Sequence, residues 1–200
     1  MKIKICGLTK ESETKYVNER KVDFTGFVLF FPKSKRNNTI ENAKKIMRLV
    51  DPTIKKVAVT VKPSQEQIQA IEEAGFDYIQ IHGEIEETLF DAIQIPVLKA
   101  FNVSDMDAFN KYNQKKNVAG FVLDAPSPGS GKTFDWNLIK ELPQTNKMIL
   151  LAGGLTPENV KDALSLPIDG VDVSSGVEYT DKPGKDPEKI VRFVQAVRSV

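Results

Sequence analysis

Hydrophobic and polar positions alternate in short segments along the chain, and most segments are followed by a stretch that reads as a helix. The stretch 2–9 comes first, and its opening residues place Ile3 and Ile5 on one face of a strand. Lys2, Lys4 and Cys6 lie on the other face. Seven further strands are predicted at 24–30, 56–61, 77–81, 96–100, 118–123, 147–151 and 170–173.

Start and stop signals place helices between these strands. Thr9, Thr39, Ser104 and Thr156 are candidate caps, and Ser64 with Gln67 forms a capping box. Predicted helices cover 10–21, 39–50, 64–74, 86–93, 104–112 and 134–142, with another after Thr156 and a last one opened by Asp186-Pro187.

Eight strand–helix units recur at a spacing of about 25 residues. Strict alternation implies a parallel sheet, and eight such units predict an α/β fold, a single (β/α)₈ TIM barrel over residues 1–200. A doubly wound open sheet is the alternative, although it usually has fewer strands.

Composition narrows the class of protein without identifying it. The chain is 40% hydrophobic and 28% charged, as globular proteins are, and its formal net charge of +1 gives no global attraction for nucleic acid. One cysteine permits no internal disulfide, which suits a reducing compartment. No segment resembles a signal peptide or a membrane span, so we expect a cytoplasmic protein with no membrane partner. We also expect a monomer rather than a dimer.

The carboxyl ends of barrel strands carry the chemistry of this fold. Alternation along the strands places Cys6, His82, Asp124 and Ser174 at these ends and on inward faces. Cys6 is either a small buried hydrophobe or a reactive thiol, and a neighbouring ammonium would favour its thiolate form.

Lys4 and Asp172 are predicted to point into the barrel from strands that become neighbours when it closes. We therefore expect a buried ion pair beneath Cys6, because either charge alone would be costly there. The pair would compete with Cys6 for the charge of Lys4.

Glycines follow the last two strands, in Gly153-Gly154 and Ser175-Gly176. They either make tight turns or let backbone N–H groups approach a phosphate, which barrels commonly bind at this place. A second glycine-rich loop, G-S-G-K-T at 129–133, lacks the spacing of a nucleotide-binding P-loop. It is either a mobile connector or a loop over the rim.

Two further polar residues are candidates for ligand binding. Arg36 follows the second strand, and its guanidinium suits a carboxylate, although a solvated basic loop is equally open. His82 is the only histidine, which favours a structural or hydrogen-bonding role over a metal site. We predict no metal, and no Rossmann glycine motif follows any strand.

These residues lie in motifs that together resemble the phosphoribosylanthranilate isomerases of tryptophan biosynthesis. The motifs occur in order over nearly the whole chain and are specific only as a set. They are K-I-C-G-L-T at 4–9, G-F-V-L-F-F-P-K-S-K-R at 26–36, Q-I-H-G at 80–83, L-D-A at 123–125, G-S-G-K-T-F-D-W at 129–136, L-A-G-G-L at 151–155 and D-V-S-S-G-V-E at 172–178.

The resemblance implies a cofactor-independent (β/α)₈ barrel that performs an Amadori rearrangement on a small anionic substrate with a carboxylate and a phosphate. It implies that Cys6 is the general base and Asp124 the general acid, which requires an acidic thiol and a raised carboxyl pKa. Arg36 would bind the carboxylate. The remaining implied substrate-binding residues are His82, Gly154, Ser175 and Gly176.

The chain departs from the family pattern at Lys35, Thr60 and Lys62 and in a short loop at 125–130. These departures affect the expected substrate affinity more than the reaction type. Alternatives are indole-glycerol-phosphate synthase, a bi-substrate histidine/tryptophan isomerase, or a non-catalytic sugar-phosphate-binding barrel. A bi-substrate enzyme is expected to carry aspartate where this chain has Cys6.

Overall fold

Strands and helices alternate along the computed structural model, which describes residues 1–102, 106–124 and 136–199. The strands are β1 (Lys2–Cys6), β2 (Phe24–Leu29), β3 (Asn37–Asn38), β4 (Lys55–Val61), β5 (Tyr78–His82), β6 (Val97–Asn102), β7 (Val118–Asp124), β8 (Met148–Leu151) and β9 (Gly170–Val173).

Helices cover the sheet between these strands. They are α1 (Thr14–Glu19), α2 (Ile40–Met47), α3 (Gln65–Glu73), α4 (Glu87–Asp91), α5 (Met106–Asn113), α6 (Val160–Ala163) and α7 (Pro187–Arg198), with short 3₁₀ helices at Glu11–Glu13, Trp136–Glu141 and Ser175–Val177. The α-helix predicted at 134–142 is therefore a 3₁₀ helix where the structure describes it. The predicted cap Ser104 lies outside the described residues.

The sheet closes on itself, because β1 pairs in parallel with both β2 and β9. Around the barrel the order is β1-β9-β8-β7-β6-β5-β4-β2, and the two-residue β3 pairs with the end of β2, beyond the part that pairs with β1. The predicted (β/α)₈ barrel is confirmed, and the open sheet is excluded. Closure sets Lys4 beside Asp172 and Cys6 beside Gly26.

Two separate hydrophobic cores follow from the strand alternation. The larger core lies between the outer face of the sheet and the helices, and it contains Ile3, Ile5 and Phe27. The smaller core fills the barrel interior, and it consists of Cys6, Phe24, Val57, Val59, Leu98, Ala100, Val122, Leu150 and Ala152. Cys6 thus faces the interior of the barrel, as predicted.

The capping predictions hold at three helices and fail at the first. After Thr156, whose Oγ1 accepts from Glu158 N at 3.2 Å, α6 begins only at Val160. Thr39 accepts from Asn42 N, Ser64 and Gln67 form the capping box, and Asp186 caps α7. Thr9 caps nothing; instead, the Glu13 carboxylate accepts from the N–H groups of residues 9 and 10 at 2.7 and 3.1 Å. One oxygen of the Glu13 carboxylate thus pairs with two amides at the start of this segment.

In the described part of the chain, no helix combines the length and apolarity needed to cross a bilayer.

Candidate active site

A cavity of ≈ 170 Å³ lies at the carboxyl ends of the barrel strands. Seven site residues are implied by the family resemblance. Six of them line this cavity, and Gly176 does not. The lining residues are Cys6, Val28, Phe31, Ser34, Arg36, Val59, Thr60, Val61, Gln80, His82, Asp124, Ala152, Gly153, Gly154, Leu155, Asp172, Val173, Ser174 and Ser175.

The Cys6 side chain fits into this cavity because its neighbour on β2 is a glycine. A Cβ at Gly26 would lie 2.7 Å from the Cys6 Sγ, so any larger residue would displace the sulfur. Gly7 then turns the chain with φ +84°, and a Cβ there would lie 2.6 Å from Arg36 Cδ. The thiol is 8% exposed, within reach of a ligand in the cavity.

The predicted ion pair beneath the thiol is present. Lys4 Nζ donates to Asp172 Oδ2 at 2.7 Å, with both side chains buried. Burial, the largest single effect, acts to lower the pKa of Lys4, but the attraction and hydrogen bonds of Asp172 and Cys6 together outweigh it and raise the pKa. The two charges hold β1 and β9 together inside the barrel.

The expected acidic thiol is wrong for this site. Burial raises the pKa of Cys6 above its ordinary value, and the Asp172 carboxylate adds to this effect. Lys4 and Lys185 lower the pKa of Cys6, but their effect is smaller than that of burial and Asp172 together. Cys6 is therefore mostly a neutral thiol near neutral pH.

His82 ends β5 and is held neutral. Burial and the nearby charges of Lys4 and Lys99 lower its pKa to about 4. The Gln80 amide Nε2 lies 2.9 Å from His82 Nε2, and with the amide donating, the neutral ring carries its proton on Nδ1. His82 is thus a neutral hydrogen-bonding group on the cavity wall.

Asp124 ends β7, three strands around the barrel from β1. Its position alternates with Phe121 and Leu123, which pack outward against the helices. Asp124 therefore faces the same cavity as Cys6 from another side of the barrel mouth. The glycine-rich loop at 129–133 lies outside the described residues.

The loops after β8 and β9 pack tightly against one another. Gly153 and Gly154 have φ of +81° and +67°, and a Cβ at Gly176 would lie 1.9 Å from the Leu155 carbonyl oxygen. Among the described residues, no carbonyl accepts from the N–H groups of Gly154, Ser175 or Gly176. These N–H groups are available to donate to an anion, and the phosphate site that the sequence predicts here stays a prediction.

Arg36 reaches the cavity from the loop after β2, and its guanidinium is paired side-on with Glu178. Arg36 Nε lies 2.5 Å from Glu178 Oε1, and Nη2 lies 3.1 Å from Oε2. Lys35 and Lys185 contact the same carboxylate at 2.8 and 3.1 Å. Burial acts to raise the pKa of Glu178, but these cations lower it to about 2.

The sequence reasoning gave no role to Glu178 or Lys185. Glu178 stands at the end of the D-V-S-S-G-V-E motif, just after the glycine-containing turn, and that position was the available signal. Burial lowers the pKa of Lys185, although the Glu178 carboxylate opposes this. Lys185 is 2% exposed and also donates to the Ser174 carbonyl at 3.1 Å.

Of the departures from the family pattern, Thr60 lines the cavity, Lys35 and Lys62 do not, and the loop at 125–130 lies outside the described residues. Lys35 pairs with Glu178, as described above. Thr60 is fully buried, and its Oγ1 finds no hydrogen-bond partner in the described residues. Lys62 has φ +46°, and its side chain lies against Gly83.

Metal ligands are not clustered in the described residues, where no group of three or more His, Cys, Asp or Glu side chains could hold an ion.

The model of the N-(5'-phosphoribosyl)anthranilate (PRA) isomerase family matches residues 3–196. The curated N-(5'-phosphoribosyl)anthranilate isomerase of Listeria innocua is 40% identical and aligns over 100% of this chain and 99% of its own length. That of Streptococcus mutans is 39% identical, with 98% of each chain covered.

Solved structures agree with this result. The phosphoribosyl anthranilate isomerase of Thermus thermophilus superimposes with a TM-score of 0.87 at 30% identity, covering 100% and 99% of the two chains. A phosphoribosyl anthranilate isomerase in complex with reduced 1-(o-carboxyphenylamino)-1-deoxyribulose 5-phosphate has a TM-score of 0.80 at 32% identity over the whole of both chains. The chain belongs to the N-(5'-phosphoribosyl)anthranilate isomerase family.

Proposed function

We propose that this chain converts N-(5-phosphoribosyl)anthranilate into 1-(2-carboxyphenylamino)-1-deoxyribulose 5-phosphate by an acid–base Amadori rearrangement in tryptophan biosynthesis. The observation that carries the proposal is the meeting of a thiol and a carboxyl group, Cys6 and Asp124, in one cavity. Family membership and the full-length relatives support it.

The proposed reaction begins at Asp124. A protonated Asp124 gives its proton to the ribose ring oxygen, and the bond between that oxygen and C1 breaks. The nitrogen lone pair forms the C1=N double bond, which leaves an iminium cation next to C2. A general acid is needed because an alkoxide leaving group would be too basic.

The second step belongs to Cys6. The thiolate removes the proton on C2, and the C–H electrons form the C1=C2 bond while the nitrogen recovers its lone pair. The iminium charge next to C2 favours the thiolate, which offsets the raised pKa of Cys6. The resulting enolamine becomes the ketone when its hydroxyl loses a proton and C1 gains one. Substrate and product have the same atoms, so the proposal needs no cofactor.

Substrate binding is proposed at two ends of the cavity. Arg36 binds the aromatic carboxylate with the guanidinium edge that Glu178 leaves open. The N–H groups of Gly154, Ser175 and Gly176 bind the phosphate. His82, neutral at pH 7, hydrogen-bonds the ligand between them.

The alternatives are two enzymes of related barrels and a non-catalytic binding barrel. A bi-substrate isomerase is disfavoured by Cys6 at the end of β1, where aspartate is expected, and a silent binding barrel by the retention of both Cys6 and Asp124. Indole-glycerol-phosphate synthase is disfavoured because residues 3–196 match the PRA isomerase family.

The test is the loss of the substrate's anthranilate fluorescence on adding purified protein without metal or nucleotide. We expect turnover with the wild type and a fall of about 10²–10⁴-fold in Asp124→Asn. Asp162→Asn, an exposed aspartate in α6, is the matched control and should be unaffected. Equal turnover in Asp124→Asn and the control would contradict the assigned acid. Comparable activity on the corresponding substrate of histidine biosynthesis would favour the bi-substrate isomerase.

A further inference from the structure

We propose that Glu178 is a positioning residue that aims the Arg36 guanidinium at an aromatic carboxylate in the cavity. This inference rests on the proposed function and adds the group that sets affinity for the carboxylate end of the substrate. Glu178 lies 142 residues from Arg36 in sequence and reaches it from the turn after β9.

The geometry of the pair leaves one edge of the guanidinium for a ligand. Glu178 accepts from Nε and Nη2, which together form the side-on edge. An arginine has five N–H donors, of which Glu178 takes two; of the three that remain, two form the edge between Nη1 and Nη2. In the described residues, no other acceptor contacts the guanidinium, and the side chain is 14% exposed on the cavity wall.

Glu178 is itself fixed in place. Its Oε1 contacts Lys185 Nζ at 3.1 Å, and its Oε2 contacts Lys35 Nζ at 2.8 Å. Its backbone carbonyl accepts from Lys189 Nζ at 2.8 Å. The stem of Arg36 is fixed as well, because it packs where a Cβ at Gly7 would lie. Both partners are therefore ordered before a ligand arrives, which reduces the entropy lost on binding.

Positioning and simple charge predict opposite effects when Glu178 becomes neutral. Arg36, Lys35 and Lys185 surround one carboxylate, so removing its charge makes this end of the cavity more positive. If Glu178 acted only through its charge, an anionic ligand would then bind more tightly. If Glu178 aims Arg36, the ligand carboxylate would bind more weakly, since the guanidinium loses its orientation.

The experiment measures discrimination between two ligands in Glu178→Gln. The probes are reduced 1-(o-carboxyphenylamino)-1-deoxyribulose 5-phosphate and the same compound without the carboxyl group. We expect the wild type to prefer the carboxylated probe by about tenfold or more. Glu178→Gln should lose most of this preference, with a raised KM and a nearly unchanged kcat, and Glu178→Asp should keep part of it.

The matched control is Glu158→Gln, which removes another carboxylate paired with an arginine. Glu158 contacts Arg192 at 2.9 Å on the exposed surface, so its variant should keep the wild-type preference. An unchanged preference in Glu178→Gln, or tighter binding of the carboxylated probe, would overturn the proposal. If Glu178→Gln fails to fold, Glu178→Gln with Lys185→Met removes the buried pair together and must show the same loss.

A double-mutant cycle that combines Glu178→Gln with Arg36→Ala separates this proposal from a general structural effect. In the Arg36→Ala background, Glu178→Gln should cause no further loss of preference, because there is no guanidinium to aim. An additional loss of equal size would show that Glu178 acts independently of Arg36. A wild type that shows neither turnover nor a preference for the carboxylated probe would contradict the proposed function. If the wild type is active and has this preference, but Glu178→Gln leaves the preference unchanged, only this inference is contradicted.

Discussion

The sulfur of Cys6 is confined by its neighbours more than by its own strand. Gly26 has no side chain, which leaves space for the sulfur. Below the sulfur, the ammonium of Lys4 is paired with Asp172. Sequence alternation was enough to predict that Cys6 faces inward and that the ion pair forms. It could not predict the net effect on the thiol, because that effect depends on how much water reaches the sulfur.

The raised pKa of Cys6 can be measured directly, because Cys6 is the only cysteine. The rate of alkylation by iodoacetamide reports the thiolate fraction. Since a raised pKa leaves less thiolate at any given pH, we expect the native rate to rise at higher pH than the rate of the urea-unfolded protein. A native midpoint below the unfolded one would contradict this prediction.

At the scale of elements, the loops that end β8 and β9 depend on one close contact. The paired glycines were visible in the sequence, and they suggested a phosphate site. The approach of Gly176 to the Leu155 carbonyl was not visible, because it joins two loops whose spacing is set by the barrel. The same reason hid the pairing of Glu178 with Arg36. The predicted cap at Thr9 is wrong for a similar reason, because the Glu13 side chain accepts from the Thr9 N–H group after β1.

Replacing Gly176 with alanine should force these two loops apart. We expect a loss of stability of about 1–3 kcal/mol, as for an overpacked site, together with weaker competitive inhibition by inorganic phosphate. Gly75→Ala is the control for the inhibition: its φ of +82° costs alanine about 1–2 kcal/mol, but nothing lies near its Cβ, so phosphate inhibition should be unchanged. Urea unfolding and inhibition assays check both effects. Wild-type phosphate inhibition in Gly176→Ala would contradict the role of this loop contact.

At the scale of the whole molecule, regular alternation of strands and helices was sufficient to predict the barrel, because eight units leave few other closures. The alternation of strands and helices does not predict side-chain contacts across the barrel mouth, where polar side chains from distant strands meet. A single domain over 1–200, a monomer and a cytoplasmic location remain predictions.

Closure of the barrel depends partly on the Lys4–Asp172 pair between the first and last strands. Lys4→Met should destabilise the protein by about 3–5 kcal/mol, because it leaves a buried carboxylate without its cation. Lys4→Met with Asp172→Leu should recover much of this loss. Lys55→Met, which breaks the half-exposed pair with Asp77 at 3.3 Å, should cost at most about 1 kcal/mol. Equal losses at the two lysines in thermal unfolding would refute the buried pair's contribution.

The central claim is that the Cys6 thiolate takes the proton from C2 of the sugar. It is tested most directly by following the release of deuterium to water from substrate labelled at C2, in the wild type and in Cys6→Ala. The account predicts release at the rate of turnover in the wild type, and release slowed by about 10²–10⁴-fold in a Cys6→Ala protein that still binds the reduced product analogue. Near-normal release from Cys6→Ala, or retention of the label in the wild-type product, would contradict it.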